Sequence, residues 1–267
     1  MRLASQGRRG RGGSISILDR LNSVSAQAAP PCSVCWKNVF GAGVSADSGV
    51  ATFRDKDGVW AKYDYREVAT PEGFAANPAL VHEFYNERRR ALADVTPNAA
   101  HVSLAELEQG LAARGGQVTL ITQNIDDLHE RAGSKMILHM HGELLKAECA
   151  YCGDVRACRE DLSVELVCKT CARAGGMRPH VVWFGEMPRF LDEAADAIAR
   201  ADLFVSIGTS GSVYPAAGFV ADARALGVPA MELNLEPSEN AHLFSDARYG
   251  PACEIVPQWV GEILGRN

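Results

Sequence analysis

Four cysteines constrain this chain more than any other feature. Cys149-x2-Cys152 and Cys168-x2-Cys171 are separated by fifteen residues, the spacing at which two short thiolate knuckles close on one tetrahedral zinc ion. Four thiolates complete the coordination shell and leave no position for a reactive water, so such a metal joins chain segments and does no chemistry. The stretch between the pairs is charged and shows little apolar periodicity, whereas the flanking sequence alternates short β-branched runs with helical patterns. Val118 to Gln123, His180 to Phe184, Leu203 to Ile207 and Ala230 to Leu235 read as buried strands. Pro78 to Ala93, Asn98 to Ala113, Phe190 to Ala201 and Pro215 to Leu226 read as helices, the second capped from Thr96 with Pro97 in its first turn. This alternation implies an α/β fold built on a parallel sheet. The cysteine segment, residues 145–178, reads as a small zinc-binding module inserted in it.

With 267 residues, 47% hydrophobic and 22% charged, the chain can bury a sizeable core, and residues 32–267 are expected to form one such domain. Residues 1–31 are rich in Arg, Gly and Ser and read as a disordered basic tail, with organelle targeting as the alternative. There is no apolar secretory core, so the eight cysteines are expected to be reduced or metal-bound and the protein cytoplasmic. The first twenty residues hold five arginines against one acid, which leaves the rest more acidic than the net charge of −6. An acidic body is a poor general binder of polyanions, and no direct nucleic-acid partner is expected. The longest uncharged stretch, Leu203 to Ala221, is broken by Pro215 and three glycines, so no membrane partner is expected either.

Gly41-Ala-Gly43-Val-Ser45-Ala46 fits the G-x-G-x-x-G/A pattern, in which backbone N–H groups approach a pyrophosphate, although alone it also fits an ordinary tight turn. An ordinary nicotinamide dehydrogenase needs an acid at the end of a second strand about 20 residues on. Here a polar loop, Asp47 to Trp60, stands instead, which argues against hydride transfer. Gln123, Asn124 and Asp126 follow a predicted buried strand, where open α/β sheets present ligand-binding side chains; a helix cap by Asn124 or Asp126 is the plainer alternative. His141, before Gly142, has an imidazole suited to proton abstraction near neutrality, and His139 lies two residues earlier.

Gly41-Ala-Gly-Val-Ser-Ala-Asp-Ser-Gly49, Thr52-Phe-Arg54, Thr122-Gln-Asn-Ile-Asp126, His141-Gly142, Gly208-Thr-Ser210 and Asn234-Leu-Glu236 occur in the order seen in sirtuins, which the chain resembles from roughly Val39 to its C-terminus. The resemblance implies an NAD-dependent protein lysine deacylase with a Rossmann-like large domain and a small zinc domain. NAD is then the cosubstrate, one structural zinc is held by Cys149, Cys152, Cys168 and Cys171, and the partners are acylated-lysine proteins or peptides met by a monomer. It implies that Gly41, Ala42, Gly43 and Ser45 cradle the NAD phosphates, and that Phe53, Arg54 and Trp60 belong to the loop that covers the nicotinamide ribose. Asn124 would orient the ribose and Asp126 the nicotinamide amide, with Gln123 and Ile125 beside them. Gly208, Thr209, Ser210, Asn234, Leu235, Glu236 and Ala252 would line the adenosine half. The motif selects His141, not His139, as the base. In sirtuin chemistry the acyl-lysine carbonyl oxygen attacks the anomeric carbon and nicotinamide leaves. The histidine then activates a ribose hydroxyl against the imidate, giving 2'-O-acyl-ADP-ribose and free lysine.

His180 to Glu186 resembles the segment that pairs with the substrate backbone, with Phe184, Gly185 and Glu186 in contact; a strand added to an edge binds through main-chain bonds without demanding a peptide sequence. Tyr85 and Arg88 are three apart and share a helix face. The pair resembles the Tyr-x-x-Arg of class III sirtuins, which remove succinyl, malonyl and glutaryl groups, and a guanidinium fork suits a carboxylate. Arg89 and Arg90 read as solvated charges, and Cys158 as a spare thiol. Two alternatives stand beside this reading: a mainly acetyl-specific deacetylase, and an impaired NAD- or zinc-binding interaction protein. The second arises because Pro30 to Val39 reads as a poor first strand and Phe40 stands where sirtuins usually have Thr. Cys32-x2-Cys35 has no second pair and is not expected to hold a metal.

Overall fold

The structure, a computed structural model, describes residues 35–40, 43–51 and 59–266, with 35–40, 60 and 61 by backbone alone. The expected tail, residues 1–31, lies outside the described residues, as do Cys32, Gly41, Ala42, Phe53, Arg54 and the side chain of Trp60. In chain order the elements are β1 (Cys35–Phe40), α1 (Gly43–Ala46), α2 (Val59–Lys62), α3 (Tyr65–Val68), α4 (Pro71–Ala76), α5 (Pro78–Leu92), α6 (Ala99–Ala112), β2 (Gln117–Thr122), α7 (Leu128–Ala132), β3 (Ile137–His139), β4 (Gly142–Cys149), β5 (Val155–Ala157), β6 (Met177–Val181), α8 (Leu191–Ala199), β7 (Leu203–Ile207), α9 (Phe219–Ala225), β8 (Ala230–Asn234), β9 (Asp246–Tyr249) and α10 (Ala252–Leu264). Among the described residues no helix is long and apolar enough to cross a membrane.

Six strands form a parallel sheet in the order β3-β2-β1-β7-β8-β9. The chain order reverses between β1 and β7, and sheets of this doubly wound type bind ligands outside the carboxyl ends of the strands at that reversal. Every residue of β7 is buried, as expected of a strand with helices packed against its sheet. Phe204 of β7 shares a core with Ala194 and Ile198 of α8 and with Phe219 and Val220 of α9.

Three sequence expectations change. The stretch ending at Val39 was expected to make a poor strand, yet β1 sits mid-sheet, paired in parallel with β2 and with β7. Two flanking ladders supply the backbone partners that local sequence preference does not. The buried run His180 to Phe184 does not join the parallel sheet; the strand there is Met177–Val181, antiparallel to β4 in a separate sheet ordered β5-β4-β6 that carries Cys149 at the end of β4. The cap of α6 is Asn98, not Thr96: its Oδ1 accepts from Ala100 N and His101 N while His101 Nδ1 faces Asn98 N. A reciprocal box of this kind satisfies orphan donors at both ends and fixes the helix start.

Arg89 is a fourth correction. It is 2% exposed, not solvated, and its Nε donates to Leu144 O at 3.2 Å and its Nη1 to Asn86 Oδ1 at 2.6 Å. Asn86 also binds Leu162 through both main-chain groups, so this pair staples α5 to β4 and to the segment between the cysteine pairs. Arg90, as expected, is exposed and pairs with Glu83 and Asp161.

The ends of β1 and β7 nearly touch. Gly43 N donates to Gly208 O at 2.9 Å, and a Cβ on Gly208, whose φ is +61°, would lie 2.6 Å from Val44 N. Gly208→Ala is expected to destabilise the fold by about 2 kcal/mol through strain and steric overlap. The measurement is the urea midpoint, and an unchanged value would mean the contact is slack.

Candidate active site

Residues that close the strands converge on one cavity of about 650 Å³. From β2 come Gln123, Asn124 and Ile125; from the end of β3, His141; from β7, Gly208, Thr209 and Ser210; and from β8, Asn234, Leu235 and Glu236. Gly43, Tyr85, Phe184, Gly185, Glu186 and Ala252 complete the predicted residues on its wall. Ser45, Asp126 and Arg88 instead line a smaller adjoining cavity of about 180 Å³, while Asn124 and Ile125 border both. Tyr85 and Arg88 therefore share a helix but not a cavity.

His141 is half-buried, and its Nδ1 donates to Gln123 O at 3.0 Å. In the neutral ring that bond assigns the proton to Nδ1 and leaves Nε2 as the basic nitrogen. Asn124 Nδ2 donates to Ser45 Oγ at 2.9 Å, and Ser45 Oγ lies 3.4 Å from Nε2 of the fully buried His101. Burial holds the His101 pKa down to about 4, so this network is uncharged at neutral pH. Neither Asn124 nor Asp126 is the cap of α7, which is Asp127; Asp126 Oδ1 does accept from Leu128 N at 3.2 Å. Burial raises the Asp126 pKa, opposed by that bond and by Ser45.

On the opposite wall, Trp183 Nε1 donates to the Tyr85 hydroxyl at 3.1 Å, and burial pushes the phenol pKa far up. Glu186 is tied down: it pairs with Arg178 at 2.6 Å and accepts from Trp183 N at 2.8 Å. Burial would raise its pKa, but Arg178 and the Trp183 N–H outweigh burial and hold it low. Its carboxylate is committed to shaping the loop. Arg88 donates from Nη1 to Phe84 O at 2.5 Å with its guanidinium 3.4 Å from the centre of the Phe84 ring, and its buried Nε has no partner. It makes no ion pair among the described residues.

At the far end, Asn234 Nδ2 donates to Thr209 O at 2.8 Å and Gln123 Nε2 to Thr209 Oγ1 at 3.4 Å, which joins the ends of β2, β7 and β8. Asp47, Tyr214 and Ser238 also line the cavity and had been given no role. Asp47 lies within the motif of residues 41–49, while Tyr214 follows closely on Gly208-Thr-Ser210 and Ser238 on Asn234-Leu-Glu236. His101 was missed as well, and its signal was the Asn-x-x-His spacing that forms the cap box.

The glycine contact suits a dinucleotide, since a Cβ on Gly43 would lie 2.8 Å from Gly208 O and close the cradle. The four thiols suit zinc. The Sγ atoms of Cys149, Cys152, Cys168 and Cys171 all lie within 4.8 Å of one another, with Cys149 to Cys171 and Cys152 to Cys168 both 3.7 Å. A tetrahedron with Zn–S of ~2.3 Å has edges of ~3.8 Å. Cys158 lies apart from this cluster, half-buried, with its thiol 3.4 Å from Glu160 O.

Comparison with known proteins agrees with this geometry. The model of the Sir2 family matches residues 41–215. An NAD-dependent protein deacylase of Caulobacter vibrioides is 62% identical over 226 residues, 85% of this chain and 95% of that protein. A solved Sir2 homologue–NAD complex superimposes with a TM-score of 0.77 at 36% identity, over 85% of this chain and 89% of that one. A Sir2 bound to acetylated peptide gives 0.76 at 28% identity, over 94% of this chain and all of that one, 100%.

Proposed function

Because this chain belongs to the Sir2 family, we propose that it is an NAD-dependent protein lysine deacylase whose acyl range extends beyond acetyl to the acidic succinyl and malonyl groups. The deacylase activity itself follows from relatives that carry that name, one of them at 62% identity. The observation that carries the reading is the shared wall on which His141, Asn124 and the Gly43–Gly208 contact meet.

In this reading NAD lies along the strand ends and supplies the glycosidic bond that is broken. The Gly43–Gly208 contact admits its phosphates, Asn124 holds the ribose, and Asp126 binds the nicotinamide amide from the smaller cavity. His141 Nε2 takes the proton of the ribose hydroxyl that attacks the acyl carbon, and its Nδ1–H bond to Gln123 O steadies the ring as charge develops. The edge near Val182 to Gly185 receives the substrate backbone, and Glu186 keeps that edge in shape through Arg178.

Arg88 supports the acidic-acyl preference. A cation with a buried, unpartnered Nε and no ion pair among the described residues is poised to gain from an incoming carboxylate. Its present bond to Phe84 O favours the second reading, a mainly acetyl-specific enzyme, because Arg88 lines only the smaller cavity. Mass spectrometry of succinyl- and acetyl-lysine peptides with and without NAD separates the two. Arg88→Met is expected to lower kcat/KM for the succinyl peptide by about 10- to 100-fold, the worth of one charge-assisted bond, and to leave deacetylation nearly intact. Equal losses on both substrates would refute the anion-binding role.

A further inference from the structure

His139 has no part in the reaction above, yet its ring is tied to the strand end that carries it. The chain from Met140 to Leu144 grips successive carbonyls after β2: Met140 N donates to Thr122 O at 2.9 Å, His141 Nδ1 to Gln123 O at 3.0 Å, and Leu144 N to Ile125 O at 2.7 Å. The carbonyl between them, Asn124 O, faces His139 Nδ1 at 3.4 Å. The other ring nitrogen, Nε2, lies 2.5 Å from Glu130 Oε1, and the His139 side chain is only 7% exposed.

Both neighbours are acceptors and nothing else: a main-chain carbonyl at one end and a carboxylate at the other. A neutral imidazole has one donor, so either tautomer would turn a lone pair toward one of these oxygens; only the imidazolium donates at both ends. We infer that His139 is a positioning residue, a doubly donating imidazolium braced by Glu130 that fixes the Asn124 backbone and with it the carboxamide held by Ser45. Turnover then depends on the protonation of a ring that touches no substrate.

The charged surroundings agree. From α7 come Glu130 and His129, from β4 Glu143 and Lys146, and from the turn after β2 Asp126. Glu130, His139 and Glu143 offer atoms within 4.8 Å of one another, and Lys146 Nζ donates to Glu143 at 2.7 Å. Two carboxylates thus face two cations when His139 is charged. Burial lowers the ring's pKa, but Glu130 and Glu143 more than offset it, leaving the value above the usual 6.5. The brace is therefore complete below the ordinary histidine pKa and is lost as pH rises through the raised one.

The test has two arms. In nitrogen-edited spectra of the histidine rings, assigned with His139→Ala, the wild-type His139 ring is expected to carry protons on both nitrogens at about neutral pH. Its titration midpoint is expected to fall by about one pH unit in Glu130→Gln, a variant at an exposed position that should fold. A ring protonated on one nitrogen throughout, or a midpoint indifferent to Glu130→Gln, would overturn the inference. The kinetic arm rests on the deacylase reading. The wild type is expected to lose about five-fold in kcat between roughly pH 7 and 9, with the KM for acyl peptide unmoved. An amide at position 130 can donate to a neutral Nε2, so in Glu130→Gln that fall should shrink to less than about two-fold; parallel profiles would count against His139. Absence of turnover on every acyl-lysine peptide would sink the deacylase reading, and the spectra would still decide the state of His139.

Discussion

His141→Tyr should reduce kcat by about 10²- to 10⁴-fold, the range lost with a general base, while leaving the fold and NAD binding in place. The ring is half-buried, its Nδ1 donates to Gln123 O, and it is not among the buried core residues, so replacing it removes little packing of the kind that costs several kcal/mol. A phenol, ordinarily protonated until about pH 10, cannot take a hydroxyl proton at neutral pH. The expected pattern is an unchanged thermal midpoint, NAD binding retained by calorimetry and no acyl-ADP-ribose product by mass spectrometry. Turnover within about ten-fold of wild type would mean that another group does the work attributed to the base.

Removing the metal should have an effect as large, by another route. The core around the cysteines contains few apolar groups, with Ala147, Leu162 and Met177 buried beside Cys149 and Cys168. Such a core does not repay the chain entropy of ordering a charged loop, whereas structural zinc in small peptides contributes roughly 10–16 kcal/mol. Loss of zinc should therefore unfold the three-stranded sheet and spare the six-stranded one. The site would still fail, because β4 starts immediately after His141 and β6 runs into the Val182–Glu186 wall. Chelation or Cys168→Ser is expected to abolish deacylation and split thermal unfolding into two transitions, with one zinc released per chain. Full activity after that zinc is gone would show that the module is not what holds this wall.

Much of the site could be read from the chain because it is written in short segments. Gly208-Thr-Ser210 and Asn234-Leu-Glu236 follow the short runs 203–207 and 230–233, and a residue just beyond such a buried strand has to emerge at the edge of a parallel sheet. Glu186 and Arg89 show where that reading stopped. Glu186 lines the cavity as expected, but that its carboxylate pairs with Arg178, eight residues back across a bend, could not be read from the chain. Arg89 sits among three consecutive arginines that look alike in the sequence, and only the approach of Leu144 and Asn86 makes one of them a buried strut. The antiparallel placement of Met177–Val181 was also out of reach, since an apolar run of that length does not state which edge will pair with it.

The sequence by itself determined the metal site, the glycine loop and the residues at the ends of the strands, because each depends on spacings of a few residues whose geometry the backbone dictates. Tertiary structure alone decided which acceptors His139 and His141 meet, that Arg88 and Tyr85 open to different cavities, and that β1 forms at the sheet's centre. Those outcomes depend on partners far away in the chain, whose approach is set by the packing of the whole core and leaves no mark on any short stretch.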